Sequence, residues 1–281
     1  MIKKVVVISD MSGLGNCSAG AAVAVLSAMG YECVFIPTAI LSAQTGFKEH
    51  YLADMTAHLN GLLTSLDKIA SDLDTYYIGF LQSVKAAQCI YTYINKKKAD
   101  KPFIVYDPIM GDNGRSYPFV DDELRQYIKD IALSSSIITP NLTELCLLVG
   151  ENYNNVCTLK DSELYDCIRS MCGSIIQKGV SAVIVTGIEP RCGIVSNAAV
   201  SSYGMSTYEY KRIGGSYSGT GDIFTSVLCG GILSGENISA SCKKAGDFVN
   251  YVLSESGSTI TDRNYGIPYQ QYLYRVIPQK D

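Results

Sequence analysis

The sequence predicts an α/β fold in which helices cover both faces of a mostly parallel sheet. Two observations carry this reading. Short β-branched runs such as Val5–Ser9 and Ala182–Thr186 are apolar throughout rather than alternating, as strands buried on both faces are. Segments of helical length and spacing separate these runs repeatedly, the pattern of parallel strands joined by crossover helices. No linker-like stretch or composition break divides the 281 residues, so a single domain over 1–281 is expected.

Taken in order, Val5–Ser9 is a buried, central strand, and Asp10–Asn16 is a glycine-bearing loop. Ser18–Met29 is an Ala-rich helix, with Gly30 suited to its C-terminal cap. Cys33–Ile40 is the second strand, and Leu41–Phe47 a polar loop carrying Gln44 and Thr45. Glu49–Leu66 has helical spacing, Tyr76–Gly79 is a strand and Ser83–Asn95 a helix. Phe103–Tyr106 is a strand closed by Asp107-Pro108, Val120–Leu133 a helix, and Ile137–Thr139 a strand stopped by Pro140. Residues 141–149 form a short helix with Asn141 as N-cap and Glu144 at N3, a capping-box spacing. Ser162–Lys178 is a helix and Ala182–Thr186 a strand. Cys192–Val200 and Thr207–Ile213 read as an antiparallel pair, and two helices follow, one after Asp222 and one over 238–254.

Composition narrows the function. The hydrophobic fraction of 47% supports a large core, and a charged fraction of 18% without low-complexity tracts argues against disorder. A net charge of −4 offers no electrostatic case for nucleic acid or an anionic membrane. The run Lys96-Lys97-Lys98 reads as a solvated helix end. Ten cysteines lack any C-x-x-C spacing and several sit in apolar runs, so they read as reduced thiols of a cytoplasmic protein. Asp10 cuts the N-terminal apolar run too short for a secretory leader, and glycines and polar residues break up 11–31 as a spanning helix.

The stretch Gly214-Gly215-Ser216-Tyr217-Ser218-Gly219-Thr220-Gly221-Asp222 runs into an apolar helix. A glycine-rich turn opening a helix aims unpaired backbone N–H groups in one direction at the positive end of the macrodipole, which makes an anion cradle. Asp222 can be read as a simple cap or as a base beside that cradle, accepting a proton from a hydroxyl. Ser9-Asp10, Gln44-Thr45, Asp107, Asn141 with Glu144, and Thr186-Gly187 each follow the carboxyl end of a predicted strand, the crevice edge of such a sheet. That convergence favours the base.

The P-loop, H-E-x-x-H, G-x-S-x-G and protein-kinase signatures are absent, and Gly13-Leu14-Gly15 lacks the third glycine of a dinucleotide site. Gly219-Thr220-Gly221-Asp222 resembles the G-x-G-D signature of the ribokinase-like superfamily of small-molecule kinases, and Asn141-Leu142-Thr143-Glu144 its N-x-x-E motif. Asp107-Pro108-Ile109-Met110-Gly111-Asp112-Asn113-Gly114, followed by Tyr117, resembles a stretch of the pyridoxal kinases within it, as does Thr38–Ser42 with Thr45-Gly46. The resemblance spans about residues 5–255 and implies a ribokinase-like three-layer α/β/α sandwich.

It further implies ATP-dependent phosphorylation of the 5′-hydroxymethyl group of vitamin B6. Asp222 would be the base, with Gly219, Thr220 and Gly221 giving N–H groups to the transferring phosphoryl. Asp107 and Glu144 would hold Mg2+ on the ATP phosphates, mostly through water, a monovalent cation being an open addition. Ser9, Gln44, Thr45 and Phe80 would line the substrate side. Asp107, Asn141, Glu144, Thr186, Gly187 and Gly219 would line the nucleotide side. A homodimer is expected on the same ground.

Ser9–Asn16 departs from many pyridoxal kinases and is nearer the S-D-x-S-G-x-x-G of hydroxymethylpyrimidine kinases. Gln44 leans the same way, since an amide there can read a ring amino group. That sister group usually has cysteine at the position of Asp222 and lacks the G-D-N-G stretch, which favours a B6 substrate. Phe80, where relatives often carry tyrosine, keeps a stacking surface without the hydroxyl. Hydroxymethylpyrimidine kinase or dual specificity is the alternative, and a catalytically silent binding protein on the same scaffold is the third reading.

Overall fold

The structure is a computed structural model that describes residues 3–70, 72–257 and 259–278. In chain order its elements are β1 (Lys4–Ser12), α1 (Ser18–Ala28), β2 (Glu32–Leu41), β3 (Leu52–Asp54), α2 (Thr56–Ile69), β4 (Thr75–Ile78) and α3 (Val84–Lys96). Then come β5 (Phe103–Tyr106), β6 (Gly111–Asp112), β7 (Arg115–Ser116), α4 (Asp122–Leu133), β8 (Ile137–Ile138), α5 (Leu142–Val149), α6 (Tyr153–Val156) and α7 (Asp161–Ile176). β9 (Ala182–Ile188), β10 (Ile194–Ser201), β11 (Gly204–Lys211), α8 (Thr220–Leu233) and α9 (Ile238–Ser256) follow, and two short 3-10 segments, Arg263–Tyr265 and Tyr269–Arg275, close the described chain.

Nine strands form one sheet in the order β11-β10-β9-β8-β5-β4-β1-β2-β3. The six from β9 to β2 are parallel, while β10, β11 and the edge strand β3 are antiparallel. The mostly parallel sheet and the β10–β11 pair are as the sequence predicts. Alternation within a strand explains why the central runs read as uniformly apolar. In β1, Val6 and Ile8 enter the core against α2–α5 and α7, and Val5 and Val7 enter the core against α1, α8 and α9. All four are fully buried, which is the three-layer arrangement in miniature.

One predicted element is corrected. Glu49–Leu66 is not a continuous helix, because Leu52–Asp54 pairs antiparallel with Ala39–Leu41 as the sheet edge. Asp54 then accepts a hydrogen bond from the Thr56 backbone N–H at 2.8 Å, and the helix begins only there. The β1–β2 register slips by one between Ser9 and Met11, which re-aims the residue between them, Asp10.

The capping box of α5 is formed as its spacing predicts. The Asn141 side chain accepts from the Glu144 N–H at 3.0 Å, and Glu144 accepts from the Asn141 N–H at 2.9 Å. Asn141 also donates to the Gly111 carbonyl at 2.8 Å, tying α5 to the β6–β7 hairpin. Asn141→Ala is therefore expected to lower stability by about 1–2 kcal/mol in urea unfolding; an unchanged midpoint would show that the cap carries no load.

Candidate functional site

The polar strand ends converge on the carboxyl edge of the sheet, where α8 begins. Gly219 precedes α8 in the left-handed region (φ 80°), and a Cβ there would collide with the Asn16 carbonyl oxygen and the Cys17 backbone. The close approach packs the glycine loop onto the loop after β1. The first N–H of α8 to bond within the helix is that of Ile223, on the Gly219 carbonyl. The N–H groups of Thr220, Gly221 and Asp222 are the unpaired donors of the helix start, as an anion cradle requires.

Asp222 does not cap its own helix, since neither carboxylate oxygen accepts an N–H of α8. Its Oδ2 accepts the Ser18 backbone N–H at 2.8 Å, and its Oδ1 is buried without a hydrogen-bond partner. Burial is the main cause that pushes the carboxyl up to about 7; the Ser18 N–H opposes the rise and the charge of Asp10 adds to it. A carboxylate so poised, with one oxygen held and one free, is suited to accept a proton near neutral pH.

Asp107 follows β5 and points its Oδ2 at Gly221, 3.7 Å from where a Cβ would stand. Burial first, then the charges of Glu144 and Asp222, hold its carboxyl well above the usual range, while the Thr139 hydroxyl opposes that shift. Thr139 in turn accepts from the Thr225 hydroxyl of α8 at 2.9 Å, which ties the end of β8 to α8. Glu144 accepts from the Met110 N–H at 3.0 Å as well as from Asn141, and burial raises its carboxyl too. Two buried carboxylates that repel each other are a donor set short of positive charge. Each oxygen keeps lone pairs for water, which fits Mg2+ held through water beside phosphate.

Of the residues expected on the nucleotide side, the Thr186 N–H donates to the Pro140 carbonyl at 3.0 Å. Gly187 is left-handed (φ 64°) and exposed, its N–H on Asn197 Oδ1 at 3.2 Å. Of the residues expected on the substrate side, Ser9 is fully buried; its hydroxyl accepts the Phe80 N–H at 3.3 Å and lies 3.4 Å from Asp10 Oδ1. The half-buried Phe80 ring meets Phe119 edge-on at 5.2 Å, and Phe119 stacks on Tyr117, giving an aromatic wall. The Gln44 amide donates to the Asn264 carbonyl at 3.1 Å and to Ser218 at 3.3 Å and accepts from the Gly46 N–H at 2.7 Å. Gln44 thus ties its loop to the glycine loop. Thr45 is exposed, and no hydrogen bond joins its hydroxyl to the other site residues among those described.

Sequence reasoning missed the segment after α9. The carbonyls of Arg263, Asn264 and Tyr265 accept from Ser218 N–H, Gln44 and Asn16 N–H, which joins three site loops through one stretch of backbone. Carbonyl contacts leave no side-chain signal. Ser18 and Thr139 were missed for a related reason, because each acts on a carboxylate far away in sequence.

The stability consequence of Asp222 has a definite sign. The folded state keeps a proton up to about pH 7 that the unfolded carboxyl releases near its reference value of 3.8. Stability contributed by this group therefore falls as pH rises through that window, by about 1.4 kcal/mol per pH unit at most. Asp222→Asn removes the dependence, so its melting temperature is expected to gain on wild type from pH 4 to pH 7. Parallel curves for the two proteins would contradict the buried, uncompensated state.

The sequence profile described as phosphomethylpyrimidine kinase matches residues 16–266. The pyridoxal kinase PdxY of Aliivibrio fischeri is 27% identical over 272 residues, covering 91% of this chain and 90% of that protein. The pyridoxal kinase of Dictyostelium discoideum is 24% identical over 276 residues, with 92% and 88% covered. Among solved structures, a protein of Bacteroides thetaiotaomicron described as a phosphomethylpyrimidine kinase, in a crystal form with pyridoxal, superposes with a TM-score of 0.89 at 28% identity, over 98% of this chain and 96% of that one. Pyridoxal kinase from Leishmania donovani in complex with ADP and pyridoxamine shares the fold, with a TM-score of 0.84 at 18% identity, over 98% and 95%.

Proposed function

The chain belongs to the phosphomethylpyrimidine kinase family, and we propose that within it the protein phosphorylates the 5′-hydroxymethyl group of vitamin B6 from ATP. The observation that carries this reading is the free, buried Oδ1 of Asp222 beside unpaired N–H groups at the start of α8. The pyridoxal kinase relatives and the pyridoxal-bound Bacteroides neighbour support the choice of ring alcohol. Use of ATP is supported by the ADP complex of the Leishmania enzyme, which has the same fold.

Asp222 accepts the hydroxyl proton on Oδ1 while the Ser18 N–H keeps Oδ2 fixed, so the oxygen nucleophile is aimed as it is deprotonated. The N–H groups of Thr220 and Gly221 stabilise the transferring phosphoryl, and Gly219 allows the loop to approach it. Asp107 and Glu144 are the residues that would hold Mg2+, which when bound neutralises charge on the nucleotide phosphates. Phe80 gives the ring a face to stack on, and Ser9 and Thr38 fix that residue's backbone through its N–H and carbonyl. Thr45, Thr186 and Gly187 belong to this reading as rim residues of the substrate and nucleotide sides.

The same reading takes the chain as one domain acting as a cytoplasmic homodimer. Ten free cysteines suit a reducing compartment, and no helix among the described residues is long and apolar enough to cross a membrane. Leu14, Ile40 and Tyr51 expose apolar surface around Ser42 for a second copy.

Asp222→Asn is expected to fold and to lose roughly 10²–10⁴ in turnover with ATP and pyridoxine; near-wild-type turnover would remove Asp222 from the chemistry. The family description favours a second reading, hydroxymethylpyrimidine kinase or dual specificity. Comparing kcat/KM for the two ring alcohols on one preparation decides it. A B6 vitamer is expected to win, and preference for the pyrimidine would overturn the substrate assignment.

A further inference from the structure

Asp10 has no role in the mechanism above, yet it is among the most constrained groups of the site. It is 4% exposed, on the residue re-aimed by the β1–β2 register slip. Two hydroxyls turn toward its carboxylate: Ser9 Oγ at 3.4 Å from Oδ1 and Ser12 Oγ at 3.1 Å from Oδ2. Among the described residues no Lys, Arg or His forms an ion pair with it. Burial raises its carboxyl above the usual range. A buried carboxylate surrounded by neutral donors and lacking a counter-cation is stabilised when a cation arrives.

The Cys17-Ser18 turn relates this carboxylate to Asp222. The Ser18 backbone is left-handed (φ 56°), a costly state for serine. Its N–H bonds Asp222 Oδ2 at 2.8 Å and its hydroxyl donates to Cys17 Sγ at 3.6 Å. The charges of Asp222 and Asp10 both act on the Cys17 thiol, so the two carboxylates flank one turn. Independently, the unpartnered Oδ1 of Asp222, a residue 8% exposed, marks this corner as awaiting a polar ligand atom. In a B6 ring the hydroxymethyl group and the variable substituent stand on adjacent carbons. With the hydroxymethyl at Asp222, the neighbouring substituent stands on the same edge of the ring, and Asp10 is the carboxylate whose charge acts on Asp222. That substituent is an aldehyde in pyridoxal, a hydroxyl in pyridoxine and a primary amine in pyridoxamine. The amine is charged at neutral pH, as that of lysine is.

We propose that Asp10 determines vitamer specificity by ion-pairing the ammonium group of the substrate, so that this chain prefers pyridoxamine to pyridoxal and pyridoxine. The proposal rests on the B6 kinase reading and deepens it. Asp222 acts on the hydroxymethyl group common to all three vitamers, whereas Asp10 acts on the one group that distinguishes them.

The test is kcat/KM for the three vitamers with wild type and Asp10→Asn, at saturating ATP and Mg2+ and neutral pH. Wild type is expected to favour pyridoxamine about tenfold or more, and the variant to cut the pyridoxamine-to-pyridoxine ratio by about thirtyfold or more. A merely structural Asp10 would lower all three in proportion, leaving the ratio unmoved, and that result overturns the proposal. So does a wild type without preference. Calorimetric binding of pyridoxamine and pyridoxine to wild type, without nucleotide, decides the matter if the variant does not fold: about tenfold tighter pyridoxamine binding supports the proposal and equal binding sinks it. Should wild type phosphorylate no vitamer, the kinase reading falls, and the same binding comparison still judges Asp10.

Discussion

The hydrogen bond from the Ser18 N–H to Asp222 Oδ2 is the constraint on which the site depends. It joins the start of α1 to the start of α8 across 204 residues of sequence. Around it, Ser18 adopts a left-handed backbone, and Gly219 must lack a Cβ so that the glycine loop can meet Asn16 and Cys17. Both costs are local and both are met by the packing around them. Val25 and Leu26 of α1 and Ile223 and Val227 of α8 are fully buried in one shared core, so the two helices arrive already in register.

The electrostatics separate along the same line. Asp10, Asp107, Glu144 and Asp222 are all more than nine-tenths buried and none makes an ion pair among the described residues. The ion pairs present, such as Lys97–Asp67 and Arg191–Glu209, lie at partly exposed positions elsewhere. A protein selected only for stability would not collect four uncompensated carboxylates at one edge of its sheet. Two cores, one on each sheet face, leave enough margin to tolerate that arrangement, and the repulsion is what makes the edge receptive to cations and to protons from a bound alcohol.

The chain's final segment shows how such an edge is held in shape. Loops at strand ends are the least constrained parts of an α/β fold, yet here three of them share one stretch of backbone, from Arg263 to Tyr265. Phe47 packs edge-on against Tyr265 at 5.2 Å, and Gln270 bonds the Asn16 side chain at 2.7 Å. The loops carrying Asn16 and Gln44 and the glycine loop are thereby kept at a fixed separation, which suits the proposed phosphoryl transfer, a reaction that consists mainly of positioning.

The strands and helices were legible because their information is local. Uniformly apolar runs such as Val5–Ile8, the glycine loop before Asp222 and the Asn141–Glu144 capping box each signal their structure within a few residues. Among the elements that were not, Leu52–Asp54 was hidden by helical spacing, since pairing with the β2 edge outweighed propensity there. By itself the sequence determined the α/β fold and the edge at which polar residues gather, and it singled out Asp222 and its glycine loop, on which the proposed chemistry rests. Only the tertiary structure decided that Asp222 leaves one oxygen free, that Gln44 faces Asn264 and Ser218, and that no Lys, Arg or His among the described residues pairs with Asp10. Those facts depend on contacts between residues as much as 220 positions apart, and on burial that sets a carboxyl's proton affinity, which no local pattern of residues encodes.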